Sequence, residues 1–342
     1  MGLKMNMNSK TVKWDSDEVC LVTGGTGFIG SHLVRELVRQ GKRVVVYDFT
    51  PDASYIGDCI DKLTFVYGDV ADMPHLKAVM AGYGVQVVFH LAYLLVPDTA
   101  ERLGTAIQVN CAGFQNVMEA ARILGVRRVV WPSSQTVYGL AEFHPDEPLT
   151  EDVCLRPTTL YGACKLFNEH TARHYRDEYG LDNIGFRKSV VWGLGKSRRR
   201  DLSISHLLIE NALLGRPVEM PPVDFHANYV YVKDVVRAYL LAAQAPKTDH
   251  LMFNVGGYVY KNSELVELLQ ELVPGMTVHR REAQDIPNPV DAYAQDLSRS
   301  GAELGYEPAY TIEDGIRDYL ELKEELGKQY EASWSEFKVR PL

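Results

Sequence analysis

Apolar positions fall in short runs along the first half of the chain, and the period changes between runs. EVCLVT (18–23), RVVVYD (43–48), TFVYGDV (64–70), QVVFHLA (86–92) and RRVVWPSS (127–134) are largely apolar and rich in β-branched residues. None alternates strictly with polar residues, so each reads as a strand buried on both faces. Between them the period becomes helical: in FIGSHLVRELVRQ, Ile29, Leu33, Leu37 and Val38 recur at helical spacing. A longer helical segment covers roughly 99–124 and stops near Gly125. LYGACKLFNEHTARHYRDEYG reads as a long helix beginning near Tyr161. Such alternation predicts an α/β, doubly wound parallel sheet with right-handed crossovers.

The second half is more broken, with prolines at 217, 221, 222, 287 and 289. Helices are expected at about 202–214, 262–271 and 312–327, forming a smaller lobe. YVYVKDVVRAYLLAA and LMFNVGG read as segments returning to the core, so the lobe interleaves with the sheet. The division predicted is 17–190 with about 230–256 for the sheet domain, and 191–229 with 257–325 for a substrate lobe. Residues 1–16 are polar, without an apolar signal-peptide centre, and read as a flexible arm. There is no internal repeat and no low-complexity segment.

Composition narrows the partners. With 342 residues, 46% hydrophobic and 24% charged, the chain has the make-up of an ordinary globular protein. Its net charge of −9 disfavours nucleic acid, which calls for a basic face. No apolar stretch approaches the ~18 residues of a membrane helix. Five scattered cysteines, with no C-x-x-C, fit reduced thiols in a cytoplasm. Cys164 reads as a small packing residue. The histidines lack metal-ligand spacing, so no metal is expected.

The chemistry starts at TGGTGFIG (23–30), between the first strand and the first helix. Gly24 permits a tight turn, Gly27 lets backbone N–H groups approach a pyrophosphate, and Gly30 allows close helix–strand packing. Phe28 and Ile29 open the helix whose N-terminus faces the negative charge. Asp48 follows Gly24 by 48 − 24 = 24 positions, near the ~20 expected of an acid that accepts from ribose hydroxyls. It would repel a 2′-phosphate, which favours NAD over NADP. Asp69 and Val70 lie in GDV, where adenine would sit; Asp69 reads equally as an adenine acceptor or a strand-end cap. Ser133 and Ser134 end the strand at 127–134, at the carboxyl edge where ligands bind in open α/β sheets. Tyr161 and Lys165, four apart, share a helix face. A phenol with a pKa near 10 is a poor base. An adjacent ammonium and a positive nicotinamide would favour its ionised form. Tyr161 could then take a proton from a substrate hydroxyl as hydride leaves for NAD, with Lys165 on the ribose and Ser134 orienting the reacting oxygen.

TGGTGFIG, Asp48, GDV, HLAY, VNCAGFQNVMEA, SSQTVYG and YGACK occur in the order seen in the extended short-chain dehydrogenases/reductases. This is the NAD-dependent epimerase/dehydratase superfamily, and the chain resembles it from about 18 to about 325. The resemblance implies a Rossmann fold, NAD as cofactor and a catalytic Ser134, Tyr161 and Lys165. It places Leu91, Ala92 and Tyr93 along the cofactor, and Ser189 at the nicotinamide through its backbone. Asn110 matches a polar position more often structural than catalytic. Relatives often dimerise through the two helices flanking Ser134, here about 99–124 and 161–179, which predicts a homodimer; burial within the subunit explains the same pattern.

Departures select among members. Dehydratases and decarboxylases of this superfamily carry an acid just after the catalytic Ser/Thr. Here Gln135 and Thr136 stand there, neither a useful acid near neutral pH. They remain substrate-contact candidates beside Ser134. Sugar-nucleotide epimerases resemble R-x-x-N-V-Y-G and R-D-F-x-H-V-D-D, whose Asn and Arg meet the diphosphate. This chain has Val190 and Ala227 in those places. Each lost charge-assisted bond is worth roughly 1.5–3 kcal/mol. RKSVVWGLG instead resembles the R-P-x-V-V-Y-G-P-G of family members acting on small substrates, and WPSS is similar to the short-chain L-threonine dehydrogenases. The reading is an NAD-dependent dehydrogenase oxidising a secondary alcohol on a small polar molecule: a sugar, sugar acid or hydroxy amino acid. A nucleotide-sugar epimerase is the alternative, since Arg198, Arg199 and Arg200 could supply the missing contacts. Arg199 is the candidate substrate contact; a solvated loop explains the run equally. A non-catalytic dinucleotide sensor is the third reading.

Overall fold

The computed structural model describes residues 17–95, 101–144, 148–196, 204–280, 282 and 294–335. The arm at 1–16 and the run Arg198–Arg200 lie outside the described residues. Seven strands form one sheet: β1 (Val19–Thr23), β2 (Arg43–Asp48), β3 (Thr64–Tyr67), β4 (Val87–His90), β5 (Arg128–Ser134), β6 (Asn183–Lys188) and β10 (Met252–Val255). Their order is β10-β6-β5-β4-β1-β2-β3, and every pairing is parallel. The order reverses between β1 and β4, and a crevice opens at such a switch point.

Strand alternation sorts the side chains into two layers. Cys20 and Val22 of β1 join one apolar core, while Val19 and Leu21 join the other. Helices α1 (Phe28–Arg39) and α5 (Val232–Gln244) cover the first face through Leu33, Leu37, Val235 and Tyr239. Helices α2 (Met73–Tyr83), α3 (Gly113–Leu124) and α4 (Leu160–Tyr179) cover the second through Leu76, Phe114 and Tyr175. This is the doubly wound Rossmann architecture that the runs predicted.

Within the expected 99–124 helix, Leu103–Ile107 and a π-helical turn, Gln108–Ala112, precede α3. The wide turn buries Asn110, which accepts from Leu94 N at 2.8 Å and donates to Leu94 O at 3.0 Å. Asn110 therefore fastens the segment after β4.

Later strands leave the main sheet. β7 (Val190–Trp192), β9 (His226–Tyr231) and β11 (Tyr258–Lys261) form a small mixed sheet; β8 (Val218–Met220) pairs with β12 (Val278–Arg280). Helices α6 (Asn262–Leu272), α7 (Ser298–Leu304) and α8 (Ile312–Ser335) complete the described chain; α8 runs past the expected end at 327. Trp192, Tyr231, Leu265 and Ile316 share the core under α1 and α5, so this part packs on the main sheet. No described helix is long and apolar enough to cross a membrane.

Candidate active site

The glycine loop is shaped by close approach. Gly24 has φ +68, and a Cβ there would stand 2.6 Å from Ala92 N. A Cβ on Gly30 would collide with the Gly24 carbonyl. Gly27 is half-buried, with only that carbonyl near, so the loop stays thin where α1 begins. The N–H groups of Phe28, Ile29 and Gly30 open α1, where no intrahelical acceptor exists and the helix end is positive.

Asp48 clamps this loop. Its Oδ2 accepts from Thr26 N at 3.1 Å and from Thr26 Oγ1 at 2.7 Å, and its Oδ1 accepts from Thr50 N at 3.1 Å. A carboxylate offers about four acceptor positions, so Oδ1 keeps one for a ribose hydroxyl. Sequence reasoning assigned Asp48 to the ribose alone and missed Thr26. Asp69 is exposed and caps its own turn, accepting from Ala71 N at 2.9 Å. Val70 is buried, its carbonyl accepting from Asn116 Nδ2 at 3.0 Å.

The segment after β4 is tied to β1. Thr23 Oγ1 accepts from Leu91 N at 3.1 Å and Ala92 N at 3.3 Å, and lies 2.8 Å from His90 Nδ1. Burial pushes His90 down to about 3, so its ring is neutral. Tyr93 then reaches the end of β5. Its ring meets that of Tyr161 edge-on, with centroids 5.4 Å apart.

At that corner β5 delivers Ser134 and α4 delivers Tyr161 and Lys165. Thr159 caps α4, accepting from Gly162 N at 3.1 Å, which fixes Tyr161 in the first turn. Ser134 hydrogen-bonds the Tyr161 phenol and accepts from Thr136 N at 3.2 Å. Lys165 is buried; its Nζ donates to Pro132 O at 2.7 Å and stands 3.3 Å from the Tyr93 ring centre. Nζ lies 5.7 Å from the Tyr161 ring centre. The expected ionisation of Tyr161 rests on this ammonium together with a positive nicotinamide, and burial opposes it. Burial pushes the phenol up to about 12, and the Ser134 hydrogen bond pulls it back only in part. Burial also drives Lys165 well below its ordinary value, with the Lys188 cation adding to the effect. Desolvation disfavours both charged forms.

Buried polar groups normally find partners. Around Ser134 several have none among the described residues: Tyr93 OH, Gln135 Oε1, Thr136 Oγ1 and Ser189 Oγ. The Ser189 backbone was expected to approach the nicotinamide; its amide donates to Val255 O at 3.0 Å because the β6–β10 pairing reaches it. Its side-chain oxygen has no partner among the described residues. Arg199 lies outside the described residues. Cys164 packs against Cys111, whose thiol burial pushes up to about 12, so that thiol is not activated. Sequence reasoning also passed over Lys188, which the β5–β6 register sets beside Ser134.

The model of the NAD dependent epimerase/dehydratase family matches residues 20–256. The chain belongs to this family. The dTDP-glucose 4,6-dehydratase of Salmonella typhimurium is 30% identical, over 88% of this chain and 91% of its own. The UDP-glucose 4-epimerase of Mycolicibacterium smegmatis is 30% identical, over 88% of this chain and 97% of its own. The solved structure of MoeE5 in complex with UDP-glucuronic acid and NAD is 32% identical, with a TM-score of 0.76, covering 90% of this chain and 99% of that one. This family member is an NAD-dependent enzyme of the extended short-chain dehydrogenase/reductase type. The thin loop, the helix N-terminus, the free position on Asp48 and the unpartnered Tyr93 and Ser189 hydroxyls fit that cofactor.

Proposed function

We propose that the protein oxidises a secondary alcohol on a small polar substrate, with Tyr161 as base. The observation that carries this reading is the meeting of Ser134, Tyr161 and Lys165 in one buried corner. Ser134 orients the substrate hydroxyl and Tyr161 accepts its proton. Lys165, whose Nζ already donates to Pro132 O, holds the ribose. NAD, when bound, supplies the hydride acceptor and a positive ring that favours the phenolate. Glycines 24, 27 and 30, Phe28, Ile29, Asp48, Asp69, Val70, Leu91, Ala92, Tyr93 and Ser189 line its path in this proposal. Gln135 and Thr136 offer unpartnered oxygens to the substrate and no acid for an elimination.

An epimerase acting on a nucleotide sugar is the second reading, favoured by the 30% identity to a UDP-glucose 4-epimerase over nearly its full length. The two readings separate on net redox change. A dehydrogenase accumulates NADH absorbance with a panel of alcohols, sugar acids and UDP- or dTDP-sugars. An epimerase returns the hydride, leaving altered sugar configuration and no NADH. Inverted sugar without NADH sinks the first reading.

The same proposal assigns the sheet domain to 17–190 with about 230–256, and the substrate lobe to 191–229 and 257–325. The departure of β7, β9 and β11 into their own sheet supports that division. It also takes the protein as a homodimer, since Leu103, Ile107 and Phe167 expose apolar side chains on the two segments flanking Ser134. Sedimentation at monomer mass would remove that part.

A further inference from the structure

β5 and β6 run side by side with Ser133 opposite Arg187 and Ser134 opposite Lys188. Side chains alternate along each strand. Ser133 and Arg187 both bond Glu169 on α4. Lys188 follows Ile184 and Phe186, which belong to the opposite core layer, so it leaves the sheet on the other face. Ser134 takes the same face by the same alternation. Neighbouring strands lie about 4.8 Å apart, which sets Lys188 in the row of the group that touches the Tyr161 phenol.

Lys188 is half-buried and has no hydrogen-bond or ion-pair partner among the described residues. Buried or half-buried cations are normally paired. The charges near it are cations: Lys165 from α4 and Lys196 beyond β7. Lys165 is committed to Pro132 O. Lys196 donates to Val191 O and to Ser205 Oγ, the latter at 2.6 Å. Of the three, Lys188 has no acceptor among the described residues. Glu169, the carboxylate that acts on Lys165, is spent on Arg187 and Ser133. The corner thus holds an excess of positive charge, a free ammonium and, one residue on, the unpartnered Ser189 hydroxyl.

We propose that Lys188 binds a carboxylate on the substrate, adjacent to the alcohol that Ser134 and Tyr161 hold, so that the enzyme selects an acid-bearing sugar or hydroxy acid. The inference rests on the reading that Ser134 and Tyr161 hold the reacting alcohol. A carboxylate fits better than a diphosphate because Lys188 is beside Ser134. An anion one or two carbons from the reacting carbon reaches it, whereas a sugar ring separates a nucleotide's diphosphate from that carbon. One charge-assisted bond at a desolvated site corresponds to about tenfold or more in affinity.

The test measures binding rather than turnover. NAD-loaded protein is titrated by calorimetry with D-glucuronate against D-glucose, and with UDP-glucuronic acid against UDP-glucose. Each pair differs by one carboxylate. The proposal expects the wild type to bind at least one acid about tenfold more tightly than its neutral partner. Lys188→Met is expected to erase that preference while still binding NAD, and Lys188→Arg to keep most of it. Equal affinity for acid and neutral partner in both pairs overturns the proposal, as does a preference that survives Lys188→Met. Acid selectivity without NADH formation leaves Lys188 in place and removes the dehydrogenase reading instead.

Discussion

Two pairs of neighbours at the end of β5 and β6 behave in opposite ways. Ser133 and Arg187 face α4 and are fully engaged. Ser133 Oγ donates to Glu169 Oε1 at 2.5 Å, and Arg187 makes a two-pronged pair with Glu169 at 3.0 and 2.7 Å. Arg187 also donates to Glu151 O at 2.7 Å. Ser134 and Lys188, one residue further along each strand, face the other way. Ser134 bonds Tyr161, and Lys188 has no acceptor among the described residues. One face of the strand pair thus satisfies itself, while the other leaves charge and donors waiting. A buried ion pair backed by further hydrogen bonds rigidifies a site; an unmet cation is a cost that a ligand can offset. The first pair locks the strand ends at the spacing the second pair needs.

The largest effect should come from breaking the closed pair. Arg187→Met strands the Glu169 carboxylate, and the loss of a buried partner costs about 3–5 kcal/mol. Chemical denaturation measures it; a loss under about 1 kcal/mol would mean the network is not the lock described. Ser134→Ala should leave stability nearly unchanged and lower turnover about 10- to 100-fold, the value of a hydrogen bond to a developing phenolate. Equal loss of stability in both variants would erase the contrast between the two faces.

A pH series sharpens it further. Burial and the neighbouring Lys196 lower Lys188 to about 8. Turnover should rise with pH as Tyr161 deprotonates, and for an acidic substrate it should flatten above about pH 8 as Lys188 loses its charge. Lys188→Met should show the rise without the flattening. Stability carries the same sign test. Between about pH 8 and the ordinary lysine value of 10.5 the unfolded chain holds the proton that the native state has released. Wild-type stability therefore rises with pH across that window. Lys165, also lowered, contributes in the same direction. In Lys188→Met the rise should shrink; an unchanged slope would contradict the burial of the cation.

The smallest change is expected in the cofactor cradle, where the polar groups are already paired. Thr26→Val removes one hydroxyl bond to Asp48 Oδ2 but keeps the 3.1 Å backbone bond. It should cost about 1 kcal/mol and weaken NAD binding several-fold at most. Equilibrium dialysis checks this; abolished binding would show that the loop depends on that hydroxyl far more than its geometry suggests.

How much of this was legible beforehand follows the same divide. The cradle is local in sequence: strand, glycines, helix and the acid at the end of β2 lie within 48 − 19 + 1 = 30 residues. Periodicity and spacing were enough to place Gly24, Gly30 and Asp48. Tyr161 and Lys165 are one helical turn apart, so their shared face could be read directly. Lys188 could not, because its neighbour Ser134 is 54 positions away and only the sheet order brings them together. The Thr26–Asp48 clamp was missed for a milder reason: either residue looks complete alone. The bond made by the Ser189 amide could not be read either, because its partner Val255 lies on β10, 66 positions later. Ionisation was the other gap, since sequence shows a lysine near a tyrosine but not the burial that raises one and lowers the other.

The central claim is that the Tyr161 oxygen takes the proton while the cradle holds NAD independently of it. Tyr161→Phe, assayed for turnover by NADH absorbance and sugar configuration and for NAD affinity by calorimetry, tests both halves. The account predicts that turnover falls by about 10²–10⁴ and NAD affinity stays within a few-fold of the wild type. Full turnover in the variant would contradict it.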